Sequence, residues 1–202
     1  MTLTIGIHLF DNVELLDFAG PFEVFTTASR VYSRLHPQAP QPFEVLTVAR
    51  AAGPIIARAG LQVQASHAFD NHPPIDVLII PGGVVEAELE QKPVIDWIKR
   101  VSDSTTLTAS VCTGAFFLAK AGLLDGKIVT THWEDIPELH TRFPGLSVKE
   151  NQRWVDAGKI VTSAGISAGI DMSLHLVSRL AGRELAVKTA RQMEYDWQEM
   201  DQ

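Results

Sequence analysis

This chain is poor in cysteine and has no surplus of positive charge. One cysteine in 202 residues excludes an internal disulfide and any cysteine cage for a metal. Seventeen Lys and Arg stand against 24 Asp and Glu, a formal charge of −7. A nucleic-acid surface needs clustered cations to neutralise phosphates, so this balance argues against one. The histidines show no metal-ligand spacing, and no His-Glu-x-x-His occurs. No apolar run is long enough to span a bilayer. The start, Met1-Thr2-Leu3-Thr4-Ile5, lacks the basic region of a secretory leader. The expectation is a metal-free protein of a reducing cytoplasm, with neither nucleic acid nor membrane as partner. A chain of this length and ordinary hydrophobic content reads as one domain over residues 1–202.

What is present is alternation of strands and helices. Leu3, Ile5, Ile7 and Leu9 begin a strand, and Gly20-Pro21 is expected to open a helix with Pro21 in its first turn. Phe43 to Ala49 reads as a strand, Gly53 to Ala65 as a short hairpin, and Ile75 to Ile80 as a buried strand. A helix over 93–101 and a strand over 106–111 follow. A helix over 113–119, a strand over 127–131 and a helix over 133–142 come next. A hairpin around Ala157-Gly158 and closing helices over 166–180 and 184–195 complete the chain. Central strands that are continuous apolar runs imply a mostly parallel sheet covered by helices on both faces. In such α/β sandwiches ligands bind beyond the carboxyl ends of the strands. Asp17, Gly82-Gly83 and Cys112 all fall there.

Cys112 lies between a buried strand and a buried helix. At such a turn unpaired helix N–H groups and the helix dipole favour thiolate over thiol. The same N–H groups can stabilise charge on a substrate. A small buried core residue is the alternative role for this cysteine. Asp17, flanked by Leu16 and Phe18, is poorly solvated, which raises its pKa and suits it to proton transfer. Its alternative is a helix-entry residue bonding backbone N–H groups. Glu23, expected two residues into the helix, is an auxiliary candidate, although the dipole alone would favour a charge there. Gly82 and Gly83 allow close backbone approach and could offer N–H groups to an anion, but they form no phosphate fingerprint. His132, at a strand end before Trp133, could assist a cysteine as a base. Gly165-Ile166-Ser167-Ala168-Gly169 fits a serine nucleophile elbow. Its possible partners Asp171 and His175 would lie on the same helix as Ser167 and cannot assemble a relay over it.

Several segments together resemble the ThiJ/PfpI superfamily. They are Asp76 to Gly83, Ser110-Val111-Cys112-Thr113-Gly114, Ala121 to Lys127, Thr130-Thr131-His132-Trp133 and Ser163 to Asp171. That resemblance implies a flavodoxin-like three-layer sandwich with a cysteine nucleophile elbow. Leu16-Asp17 with Gly20-Pro21, and Val111-Cys112-Thr113-Gly114, are most similar to the isonitrile hydratases of the superfamily. The likeness implies Cys112 as nucleophile, Asp17 and Thr113 assisting, and Ile166 supplying backbone beside the substrate. It also implies a homodimer, no cofactor and a small electrophilic substrate. Thr113 stands where protease-like members carry histidine, which disfavours a Cys-His peptidase. The N-terminal domains of some AraC-type regulators share Cys-Thr-Gly and Thr-Thr-His-Trp. Other cysteine chemistry of the superfamily (glyoxalase, deglycase, amidohydrolase) and ligand or redox sensing therefore stay open.

Overall fold

β-branched and leucine-rich runs drive the centre of the molecule. β1 (Leu3–His8), β2 (Phe43–Ala49), β6 (Val77–Ile80), β7 (Leu107–Val111) and β11 (Ile160–Ser163) form its buried apolar centre. A computed structural model describes residues 1–51 and 53–199. Around these strands run α1 (Leu15–Leu35), a hairpin of β3 (Pro54–Ile56) and β4 (Gln62–Gln64), and β5 (His67–Ala68). Further on come α2 (Glu86–Leu89), α3 (Lys92–Ser104), α4 (Gly114–Lys120), β8 (Ile128–Val129) and α5 (Ile136–Arg142). β9 (Ser147–Val148), β10 (Trp154–Ala157), α6 (Ala168–Ala181) and α7 (Arg183–Gln192) complete the order.

The seven-stranded sheet runs β10-β11-β7-β6-β1-β2-β5, parallel except for β10 against β11. The chain passes from β1 to β2 in one direction and from β6 to β7 to β11 in the other. Right-handed crossovers therefore put the connecting helices on opposite faces. α1, α6 and α7 pack together on one side, and α2, α3 and α4 on the other. The doubly wound α/β sandwich read from the sequence is what forms.

Three local readings are corrected. α1 begins at Leu15 rather than Gly20, so Pro21 lies in its second turn, buried inside the helix. A proline there withholds one backbone donor, a cost that packing of the buried apolar face outweighs. The strand expected over 127–131 shrinks to β8, which pairs with β9 outside the main sheet. The helix expected from Trp133 opens with a 3-10 turn over Trp133–Asp135 before α5.

His8 is fully buried in an aromatic cluster with Phe10, Phe69, Trp97 and Phe117. Its Nδ1–H donates to the Val48 carbonyl at 3.2 Å, and its Nε2 has no hydrogen-bond partner. Burial lowers its pKa from 6.5 to about 4, with the nearby Arg50 charge adding to the fall. The unfolded chain therefore takes up the proton first as pH drops. The stability tied to neutral His8 is complete above its ordinary pKa and is lost as pH falls toward 4. His8→Phe keeps the stacking and should remove this acid sensitivity. Between pH 7 and pH 4.5 the wild type should lose about 2.5 kcal/mol more than the variant in urea unfolding.

Candidate active site

The sheet reverses direction at β1, the topological position where open α/β sheets bind ligands. Four turns converge there. The first turn of α1 brings Asp17, the turn after β6 brings Gly82 and Gly83, the turn after β7 brings Cys112, and the turn after β11 brings Ile166.

Cys112 has φ 56° and Ile166 has φ 50°, both in the left-handed region. That conformation costs an ordinary residue roughly 1–2 kcal/mol, and a β-branched isoleucine rarely adopts it. Neighbouring contacts hold both turns. β7 and β11 pair in register with Val111 opposite Ser163, so the two turns leave the sheet side by side. The Cys112 N–H donates to the Ala164 carbonyl at 3.3 Å, and the Cys112 carbonyl accepts from the Thr131 hydroxyl at 2.8 Å. Strain over-determined in this way is typical of functional turns. Gly114 lets α4 lie across the end of β6, because a Cβ there would drive into the Ile80 carbonyl.

The Asp17 carboxyl is wholly buried. Its Oδ2 accepts the Gly82 N–H at 3.0 Å. Its Oδ1 has no partner of good hydrogen-bond geometry, yet the Cys112 thiol and the Ile166 N–H lie near enough to act on the carboxyl. Burial dominates and lifts its pKa from 3.8 to about 7. The Gly82 N–H works against that rise, and the Glu14 charge adds to it. The poorly solvated carboxyl expected from Leu16 and Phe18 is thus present.

The resting thiolate is not. Burial raises the Cys112 pKa well above its ordinary value, and the charges of Asp17 and Asp135 raise it further. The N–H groups of Thr113 and Ile166 offset only part of this. A seven-residue α4 does not override desolvation. Cys112 therefore holds its proton while Asp17 is ionised, and a thiolate forms in company with a protonated Asp17.

Gly82 and Gly83 do not supply an anion hole. The Gly82 N–H is engaged by Asp17, and the Gly83 N–H donates to Thr113 Oγ1 at 2.9 Å. The Thr113 hydroxyl in turn donates to the Gly83 carbonyl at 3.0 Å. Its side chain pins the glycine turn, and its backbone N–H reaches the sulfur. The donors facing the thiol are thus Thr113 N–H and Ile166 N–H.

His132 lies against the Ile166 turn, since a Cβ on Gly165 would meet its ring. Its Nδ1 is 3.1 Å from Asp135 Oδ2. Asp135 was not expected as part of the site; the i,i+3 spacing from His132 was its only signal in the sequence. Glu23 is engaged elsewhere. It is more than half exposed and accepts from Arg30 and Thr27 at 2.8 Å each. Because α1 starts at Leu15, Glu23 is not near the helix start as expected. The serine elbow is likewise unassembled. Asp171 binds Arg153, Tyr195 and the Gln198 N–H, while His175 binds Asp156 at 2.7 Å. Among the described residues, no group of three or more His, Cys, Asp and Glu is placed to hold a metal ion.

Asp17→Asn tests the buried carboxyl directly. The folded chain keeps a proton that the unfolded chain releases above pH 3.8, so stability falls as pH rises toward 7. From pH 5 to pH 8 the wild type should lose roughly 2.5 kcal/mol more than Asp17→Asn in denaturant unfolding.

A strained cysteine turn on a doubly wound sheet, with a buried carboxyl beside the thiol, defines a class of small α/β proteins. The DJ-1/PfpI family profile matches residues 4–179, and the chain belongs to that family. Isonitrile hydratase of Pseudomonas putida is 34% identical over 197 residues, covering 96% of this chain and 79% of that protein. The HTH-type transcriptional regulator GbdR of Pseudomonas aeruginosa is 29% identical over 96% of this chain, which spans 51% of the regulator's length. Among solved structures, a ThiJ/PfpI family protein from Pseudomonas syringae superposes with a TM-score of 0.84 at 24% identity. That match covers 98% of this chain and 77% of the other. Drosophila melanogaster DJ-1beta superposes with a TM-score of 0.80 at 20% identity, covering 98% of this chain and 100% of the other. Both solved structures support the fold.

Proposed function

We propose that this protein is an isonitrile hydratase-like lyase with Cys112 as nucleophile. The carrying observation is the wholly buried Asp17 beside the thiol, with a pKa of about 7. An acid–base group performs best when its pKa lies near the working pH. The likeness to isonitrile hydratase over 96% of the chain supports the same reading.

In this mechanism ionised Asp17 takes the thiol proton as sulfur attacks the terminal carbon of R–N≡C. Asp17 returns that proton to the same carbon, giving the thioimidate R–N=CH–S. Asp17 then takes a proton from water as the water oxygen adds to this carbon, and passes that proton to nitrogen. The C–S bond breaks as the added hydroxyl forms the carbonyl, sulfur leaves with its electron pair and takes the hydroxyl proton, and R–NH–CHO is released. The sum is one isonitrile and one water to one N-substituted formamide. Thr113 N–H and Ile166 N–H steady the charge on sulfur, and His132 is a reserve proton carrier. No step calls for a cofactor. Among the described residues, no helix is long and apolar enough to cross a membrane. A homodimer in a cytoplasmic setting remains part of the proposal.

Formamide production from aryl and alkyl isonitriles, followed by NMR with Cys112→Ala as control, tests the proposal. Cysteine-dependent formamide supports it. A well-folded protein that makes none overturns it. A second reading, a ligand-sensing domain, is favoured by the regulator's likeness over nearly the whole chain. It predicts ligand binding without turnover.

A further inference from the structure

We propose that the loops around Cys112 form a selectivity wall for neutral electrophiles carrying an apolar substituent, with Trp133 as the specificity-determining residue. The inference rests on Cys112 as the reacting thiol and extends to what the substrate carries behind its reactive carbon.

The site residues are buried, yet three of the four site turns, and the His132 turn packed against the Ile166 turn, present large apolar side chains to solvent. Leu16 adjoins Asp17 and is 37% exposed, and Val84 adjoins Gly83 and is 48% exposed. Ile166 itself is 39% exposed, and Trp133 adjoins His132 and is 72% exposed. A single exposed apolar side chain is ordinary, but four on turns that meet around one thiol give that site an apolar rim. Trp133 leans on the His132 ring at 5.8 Å between centroids, and its 3-10 turn fixes where the indole stands.

The charged groups on these turns are mostly acidic. Glu14, paired with Arg58 at 3.1 Å, precedes Leu15 and Leu16, while Glu134 and Asp135 follow Trp133. Arg153, which reaches the Ser167 hydroxyl beside the Ile166 turn, is held by buried Asp171. Arg58 and Arg153 are both paired with carboxylates, so an anionic substrate would meet the charges of Glu134 and Asp135. Cys112 is itself only 7% exposed, which suits a slender reactive head on a bulkier tail. The head reaches the sulfur while the tail stays on the rim. An indole face offers the largest apolar contact for such a tail.

Paired thiol probes read this without any need for turnover. Because Cys112 is the only thiol, intact mass after alkylation reports this site alone. Iodoacetamide and N-benzyl iodoacetamide share one reacting carbon and one leaving group and differ in the apolar tail. Relative to free glutathione, the wild type should favour the benzyl probe by roughly fivefold or more. Trp133→Ala should bring the ratio close to that of glutathione, and Trp133→Phe should restore part of it. Iodoacetate should react more slowly than iodoacetamide beyond its handicap with glutathione. A wild-type ratio equal to that of glutathione overturns the proposal. So does an unchanged ratio in Trp133→Ala. If Trp133→Ala leaves the ratio alone but shifts sedimentation from dimer to monomer, the rim is an interface and the proposal fails. Absence of isonitrile turnover with the expected ratios leaves the wall standing for another neutral electrophile. Isonitrile turnover with flat ratios removes the wall alone.

Discussion

Cys112→Ala is expected to reduce formamide production to the uncatalysed background, a loss of roughly 10⁴-fold or more. The proposed route opens by forming a C–S bond and closes by breaking it, and the chain has no second thiol. Alanine has the same backbone preferences as cysteine at φ 56°, so the turn keeps its strain and its contacts to Ala164 and Thr131. The variant should therefore unfold within about 1 kcal/mol of wild type. Thermal unfolding beside the NMR assay checks both halves of the expectation. Substantial turnover in a folded Cys112→Ala sinks the covalent mechanism.

Gly114→Ala is expected to be the most damaging small substitution. Its methyl would enter the space of the Ile80 carbonyl, a backbone atom of the central strand β6. β6 is held by β1 on one side and β7 on the other, so it cannot yield. A loss of about 2–4 kcal/mol is expected, a drop in Tm on the order of 5–15 °C. Activity should fall as well, because any relief must move α4 and with it the Cys112 turn. Gly145→Ala is the matched control. Open space surrounds that position and its φ is ordinary, so the change should stay within about 0.5 kcal/mol. Equal stability of the two variants would refute the account of why α4 sits so close to β6.

The residues that place the site were largely legible in the sequence. Hydrophobic runs marked the central strands, and the span 43–49 is reproduced without change. Glycines and chain reversal at strand ends marked where ligand chemistry would gather. Less visible was which group each donor would meet. Gly82 and Gly83 looked like free N–H groups because a sequence does not reveal that Asp17 and Thr113 arrive from other turns to engage them. The thiol looked acidified because the helix start was legible, while the desolvation that outweighs it depends on packing by many distant residues. Pro21 suggested a helix start through its own local preference, although buried contacts along the whole of α1 decide the matter. Asp135 was hidden by the opposite circumstance, a common residue whose role exists only once His132 turns toward it.

The margins of the main sheet bear on how copies of this chain can meet. β5 contributes two residues at one border, and β10 contributes four at the other, with β8 packed alongside it. Borders this short give an incoming strand little to zip onto, which guards against runaway fibre-like stacking. The exposed apolar side chains Leu15, Leu16 and Phe22 lie instead on the first two turns of α1, across the molecule's helical surface. Any pairing of copies of this chain would therefore use helices and loops rather than strands. A pair built that way would be closed, and it would bring the beginning of α1, and with it the surroundings of Asp17, within reach of a neighbour.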